Sequence, residues 1–70
     1  MINIMNDRFP ENLRRIRKEK GLTLMELAEL SGISYQALSK YERNENTPSI
    51  AVAEWLCEVF DVSSKELLGF

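Results

Sequence analysis

Residues 23–43, TLMELAELSGISYQALSKYER, carry the clearest structural signals in this 70-residue chain. They predict two short helices joined by a tight turn at Gly32, where the chain leaves the first helix with a positive φ that glycine adopts without steric cost. Ala28 gives the first helix a small side chain at the point where two crossing helices come closest. Leu38 and Tyr41 give the second helix the apolar contacts that hold it against the first.

The ends of these two helices carry capping signals. Thr23 and Glu26 have the spacing of a capping box, in which each side chain satisfies a free backbone N–H, and Leu22 and Leu27 have the spacing of a hydrophobic staple. Ser34 is placed to cap the second helix. With the glycine, these signals favour the helix-turn-helix form, in which the second helix presents a polar face to a ligand, over an ordinary helical hairpin without one.

Three further helices flank this pair. Pro10 suits the first turn of a helix that Gly21 ends. Pro48 marks the start of another helix, with Thr47 or Ser49 as its cap, and a last short helix follows Ser63. The sequence therefore predicts an all-α, compact five-helix domain. Its predicted parts are an N-terminal arm over residues 1–8, expected to be flexible, a domain over 9–70, helix two over about 24–31 and helix three over about 35–43.

Composition excludes several classes of function. The single Cys57 rules out an internal disulfide, and the chain has no histidine, so we expect no metal site and no cofactor. We see no signal peptide and no apolar run that would span a membrane, so a soluble, cytoplasmic protein is expected. Net charge is −2, but residues 1–43 carry eight Lys/Arg and six Asp/Glu, whereas 44–70 carry one and five. The half with the predicted helix-turn-helix pair is therefore the more basic half.

The order GLTLMELAELSGISYQALSKYERNENTPS, residues 21–49, resembles the Cro-and-phage-repressor family, also called the xenobiotic-response-element family. The resemblance extends over residues 9–68. It implies a lambda-repressor-like DNA-binding domain. It also implies a bacterial or phage transcription regulator, expected to be a repressor, that binds palindromic operator DNA as a homodimer.

Helix three carries the candidate base-reading residues. Gln36, Lys40 and Arg43 follow one another at i, i+4 and i+7, and so form one stripe on the helix. Glutamine can bond adenine N6 and N7, and lysine can donate to guanine O6 or N7. In the resembling family the start of this helix contacts base edges. The alternative is a hydrated surface without a ligand. The residues predicted to read bases are Ser34, Tyr35, Gln36, Ser39 and Lys40.

Phosphate contacts are expected at both ends of the reading surface. Arg43 and Asn46 lie past the base-reading positions, and Thr23 and Leu24 lie at the start of helix two. The family commonly has glutamine at the position of Leu24, which can contact phosphate only through its backbone N–H. The family also favours glycine at the position of Asn44, and asparagine tolerates the same left-handed conformation.

An ion pair and a dimer surface complete the prediction. Family members pair an Arg and a Glu at the positions of Arg17 and Glu42, so we expect an ion pair that holds helices one and three in register. Helix four carries further apolar side chains outside its inward stripe, which indicates a homodimer joined through helices four and five. The residues predicted in the inward stripe are Ile50, Ala53, Leu56, Cys57 and Phe60. The alternative to this homodimer is that residues 1–5 cover Trp55. The residues predicted in the interface are Ala51, Trp55, Leu68 and Phe70.

Two other classes of function compete with the DNA-binding regulator. A protein-interaction module on the same fold is favoured by the acidic balance and by Leu24. An enzyme is not expected, because the sequence has no metal-ligand cluster, no nucleophile with a histidine partner and no glycine-rich phosphate loop.

Overall fold

Five helices joined by short turns make up residues 8–69, the part of the chain that the computed structural model describes. The predicted helix bounds agree with the structure to within about a residue, and helix three ends at Glu42 with Arg43 as its C-cap. Most of the predicted N-terminal arm, residues 1–7, and the predicted interface residue Phe70 lie outside the described residues. The helices are α1 (Phe9–Glu19), α2 (Leu24–Ser31), α3 (Tyr35–Glu42), α4 (Ile50–Phe60) and α5 (Ser64–Leu68).

Four of the helices begin at a hydroxyl residue. The side chain of each N-cap accepts a hydrogen bond from the backbone N–H three residues later, which satisfies a donor that has no partner inside the helix. These caps are Thr23, Ser34, Ser49 and Ser63. Ser49, one of two candidates in the sequence, is therefore the cap of α4. In α1, Pro10 occupies the first turn instead.

The turns reverse the chain through left-handed residues. Gly32, between α2 and α3, has φ +75° and donates its N–H to the carbonyl of Ala28 at 2.9 Å. Asn44 after α3 and Asp61 after α4 adopt the same region with φ 59° and 57°. Asparagine and aspartate tolerate this conformation better than other non-glycine residues, as expected for Asn44.

One hydrophobic core joins the helices. The helix-turn-helix pair, α2 and α3, packs together, with α1 against α3, α4 against α2, and α5 against α1 and α4. The rings of Phe9 and Tyr41 meet edge to face, with centroids 6.4 Å apart. The core residues are Phe9, Leu13, Ile16, Leu27, Leu38, Tyr41, Ala53, Leu56, Cys57, Phe60, Leu67 and Leu68.

Two sequence-based placements are wrong. Leu68 was expected in a dimer interface, but it is only 2% exposed within a single chain. Its side chain is already removed from water and cannot contribute new buried area to a partner. Ile50 was expected on the inward stripe of α4 but is 40% exposed, because it is the first residue of the helix and precedes the packed turns.

The helices are short. Within residues 8–69 the longest have 11 residues, and none is both long and apolar enough to cross a membrane.

Candidate nucleic-acid interface

Helix α3 turns one side inward and leaves the other in solvent. Leu38 and Tyr41 are buried and Ala37 is partly buried, so the apolar side of the helix faces the core. Ser39 is partly buried at the boundary between the two sides. The predicted base-reading residues that remain exposed are Ser34, Tyr35, Gln36 and Lys40.

The exposed side chains of α3 offer both donors and acceptors. Gln36 and Lys40 lie one helical turn apart, which places an amide and an ammonium on one line. The Ser34 hydroxyl accepts from the N–H of Ala37 at 3.1 Å as the helix cap. Its O–H hydrogen can still donate to a ligand.

The predicted phosphate residues after α3 are exposed and engaged locally. Arg43 Nε lies 3.2 Å from Glu45 Oε2, and both side chains are about half exposed. Such a surface pair contributes little to stability, so the guanidinium can exchange this partner for a phosphate. Asn46 Oδ1 accepts from the N–H of Thr47 at 3.0 Å, which leaves the Asn46 NH₂ as a donor.

The start of α2 presents backbone donors. The capping box is complete: Thr23 N–H donates to Glu26 Oε1 at 2.8 Å, and Glu26 N–H donates to Thr23 Oγ1 at 3.0 Å. The box therefore occupies the amide of Thr23, one of the predicted phosphate residues, and leaves its hydroxyl hydrogen as a donor. The amides of Leu24 and Met25 remain as the first-turn donors, at the end of the helix where the dipole attracts an anion.

An ion pair joins the elements behind this surface. Arg17 Nε lies 2.6 Å from Glu42 Oε2, and Arg17 Nη2 lies 3.1 Å from Glu42 Oε1. The two side chains are 11% and 4% exposed. The hydrogen bond to Glu42 raises the pKa of Arg17, so this side chain stays charged.

Two further contacts of this pair were not predicted. Arg17 Nη1 donates to the carbonyl of Leu22 at 2.8 Å, and Arg14 Nε lies 3.5 Å from Glu42 Oε1. Arg14 lies three residues before Arg17 on the same side of α1, a spacing visible in the sequence. Through these contacts one carboxylate and one guanidinium connect α1, α3 and the residue before the cap of α2. They fix the start of α2 relative to α3.

The predicted interface residues on α4 behave differently from each other. Ala51 is exposed, and Trp55 is 44% exposed. The indole N–H of Trp55 donates to the carbonyl of Ser31, the last residue of α2, at 2.7 Å. This bond satisfies a carbonyl at the end of α2 and sets the orientation of the indole. Sequence reasoning missed it, because the two residues lie 24 positions apart and no local pattern connects them.

Acidic and sulfur side chains do not gather into a metal-binding group anywhere in the described part of the chain.

Comparison with known proteins identifies the family. A sequence model of the helix-turn-helix family HTH_3 matches residues 13–67, so the chain belongs to this family. The HTH-type transcriptional regulator SinR of Bacillus licheniformis is 46% identical over 60 residues, which cover 84% of this chain and 54% of SinR. The chain thus spans about half the length of the curated SinR relatives that it matches.

Solved structures share the fold. SinR, described as the master regulator for biofilm formation and solved in complex with DNA, superposes with a TM-score of 0.80 at 43% identity, covering 86% of this chain and 97% of that one. The restriction-modification controller protein C.AhdI from Aeromonas hydrophila superposes with a TM-score of 0.80 at 32% identity, covering 86% and 91%. The resemblance seen in the sequence and the predicted fold class are therefore confirmed. These relatives are named as transcriptional regulators and a restriction-modification controller protein.

Proposed function

We propose that this chain is a sequence-specific regulator of transcription, a repressor, that inserts α3 into the major groove of double-stranded operator DNA. The observation that carries the proposal is the exposed polar side of α3, held on a packed helix-turn-helix scaffold. The same scaffold occurs in SinR, whose structure was solved in complex with DNA. Because a regulator must reach the genome, the proposal places the protein in the cytoplasm.

The polar side of α3 matches base edges in the major groove. Gln36 pairs with adenine through N6 and N7, and Lys40 donates to guanine O6 or N7. Ser34 and Tyr35 at the start of the helix contact the neighbouring bases, and Ser39 lies at the edge of the same surface. These contacts supply the sequence preference, since base edges, unlike phosphates, differ between base pairs.

Phosphates flank the reading helix on both sides. The backbone amides of Leu24 and Met25 bind one phosphate at the start of α2, where the helix dipole favours negative charge. Arg43 and Asn46 bind another beyond the end of α3. These contacts fix the register of α3 in the groove and supply most of the affinity that depends on salt.

The protein binds as a homodimer, and its operator is palindromic. A single α3 offers few base-reading side chains, and small domains of this type gain contact by binding two half-sites with two copies. The proposed contact is the exposed side of α4, with Ala51 and Trp55. Leu68, which is buried within the chain, is not part of this contact.

Selection of bound sequences from a random duplex pool tests the DNA-binding proposal. We expect one enriched palindromic sequence. Its binding constant should fall with salt on a log–log plot with a slope of about −0.9 per phosphate contact. Lys40→Ala should weaken binding, whereas the control Lys65→Ala, on α5, should not. Absence of enrichment and of salt-dependent binding would favour the protein-interaction module instead.

A further inference from the structure

An open cleft of about 480 Å³ lies between the start of α2 and the start of α3. Its walls come from two surfaces that meet at the proposed DNA interface. Tyr35 is the first residue of the reading helix and directly precedes Gln36, while Leu24 and Met25 carry the proposed phosphate-binding amides. The residues that line the cleft are Arg17, Leu22, Thr23, Leu24, Met25 and Tyr35.

The cleft exposes more apolar than polar surface, and its two large exposed side chains are those of Met25 and Tyr35. Met25 is 67% exposed and Tyr35 is 47% exposed, although large hydrophobic side chains of this kind are usually buried. Arg17 is the charged residue of the lining, but its guanidinium is committed to Glu42 and to the Leu22 carbonyl. The cleft therefore offers an incoming group dispersion contacts and removal from water, rather than a cation.

The position of the cleft restricts what can fill it. When α3 enters the major groove and the amides of α2 meet a phosphate, the cleft lies over the base edges between these two contacts. The apolar group exposed on base edges in the major groove is the 5-methyl group of thymine. The proposed phosphate at the start of α2 meets the backbone amides of Leu24 and Met25, whereas their side chains and the ring of Tyr35 offer apolar contact instead.

We propose that the cleft receives the 5-methyl group of a thymine next to the base pair that Gln36 reads. Leu24, Met25 and Tyr35 are then specificity-determining residues, and they read a base without a hydrogen bond. This inference rests on the proposed function, because it requires that α3 binds in the major groove.

Replacement of thymine by deoxyuridine tests the inference, since it removes one methyl group and leaves base pairing unchanged. Each thymine of the selected half-site is replaced in turn, and the dissociation constant of the wild-type protein is measured. We expect one position at which the substitution weakens binding about fourfold, the effect of about 0.8 kcal/mol for one buried methyl group. The other thymines should change binding by less than about twofold.

Two matched variants connect that position to the cleft. Met25→Ala removes an exposed apolar side chain from the cleft, and Leu30→Ala removes one of similar exposure, 61%, from the same helix outside the cleft. With Met25→Ala the loss on deoxyuridine substitution should shrink to less than about twofold, whereas with Leu30→Ala it should stay about fourfold. Because both side chains are exposed, both variants should fold.

The outcomes separate this inference from the proposed function. If no duplex is bound, the proposed function itself fails. If the selected duplex is bound but no thymine is sensitive, or its half-site contains none, the inference is overturned and the function stands. The inference is equally overturned if a thymine is sensitive but the loss is unchanged in Met25→Ala.

Discussion

Glu42 is the residue on which the geometry of the candidate nucleic-acid interface depends. Its carboxylate is almost fully buried and is held by Arg17 and Arg14 of α1, while Arg17 also holds the Leu22 carbonyl. A charge in this position is tolerated only because it is paired and hydrogen-bonded. The pair therefore contributes little net stability, and its main effect is to fix the relative positions of α1, α2 and α3.

Arg17→Met should destabilise the fold strongly. The variant leaves the Glu42 carboxylate buried with Arg14 alone at 3.5 Å, and breaking such a pair from one side costs about 3–5 kcal/mol. Urea denaturation measures the loss. Arg15→Met is the matched control, because its pair with Glu19 is exposed and should change the free energy of unfolding by less than about 1 kcal/mol. Similar small losses in both variants would contradict the assignment.

Base and phosphate contacts should respond differently to truncation. Gln36→Ala and Lys40→Ala should each reduce discrimination at one base pair by about 1–3 kcal/mol, because each removes a base-edge contact. Arg43→Ala should weaken binding to all duplexes alike, since a phosphate carries no sequence information. Titrations against the selected operator and a scrambled duplex compare the two effects. Equal losses on both duplexes for all three variants would count against these roles.

Cys57 should make stability decline at high pH. Burial, with a smaller contribution from the carboxylate of Glu54, raises the pKa of the Cys57 thiol above its ordinary value of 9.0. Above that pH the unfolded chain loses the proton before the folded one does, so rising pH favours unfolding. The free energy of unfolding should therefore fall more steeply above pH 9 for the wild type than for Cys57→Ala. Parallel curves from denaturation at several pH values would refute this.

Interactions between residues close in sequence made the individual helices predictable. Thr23, Ser34 and Ser63 mark helix starts in the sequence, and each has the predicted capping bond, because a cap involves residues only three positions apart. The exposed polar stripe of α3 was predictable for a similar reason, since it depends only on helical periodicity.

Contacts between distant residues were not predictable in this way. The prediction that Arg17 pairs with Glu42 came from the family resemblance. Neither the resemblance nor a local sequence pattern predicted the bond from Trp55 to Ser31. Leu68 was misplaced because α5 has only five residues, too few to define a periodic apolar side. The cleft beside Tyr35 depends on the angle between two helices, which no spacing in the sequence specifies.

Gly32→Ala should cost about 1–2 kcal/mol, the price of a left-handed conformation for a residue with a Cβ. Apart from Gly32 itself and its two chain neighbours, no atom lies within 4 Å of an added Cβ, so backbone strain determines the loss. Gly32→Asn should be milder, because asparagine tolerates this region, as Asn44 does with φ 59°. Thermal and urea denaturation compare the variants. A loss well above 3 kcal/mol would indicate a clash and contradict the strain account.

The exposed apolar side chains lie on two separate parts of the molecular surface. Met25 and Tyr35 lie beside the reading helix, and Trp55 lies on α4. Since α4 packs on α2 and α5, the exposed side of α4 around Trp55 and the exposed polar side of α3 belong to different helices around one hydrophobic core. A second copy bound to α4 would therefore leave the polar side of α3 available for the proposed DNA contact.

The proposed two-fold dimer would have a fixed geometry on DNA. If two copies meet through α4, their α3 helices should lie about 34–36 Å apart, one turn of the duplex, to enter successive major grooves. The spacing of half-sites in the selected operator therefore checks the arrangement. Inserting five base pairs between the half-sites should abolish binding of the second copy, because it rotates one half-site to the opposite side of the duplex.

Trp55→Ala should weaken this dimer by about 2 kcal/mol or more, since a tryptophan at the centre of an interface often dominates its energy. Trp55 also bonds Ser31, so Trp55→Phe, which keeps a ring but loses the N–H, separates the two roles. Leu30→Ala is the control for lost exposed apolar surface. Sedimentation of all four proteins, free and on DNA, measures association.

A wild type that stays monomeric at high micromolar concentration in both conditions would exclude the dimer. Equal dimerisation of Trp55→Ala would move the interface away from α4.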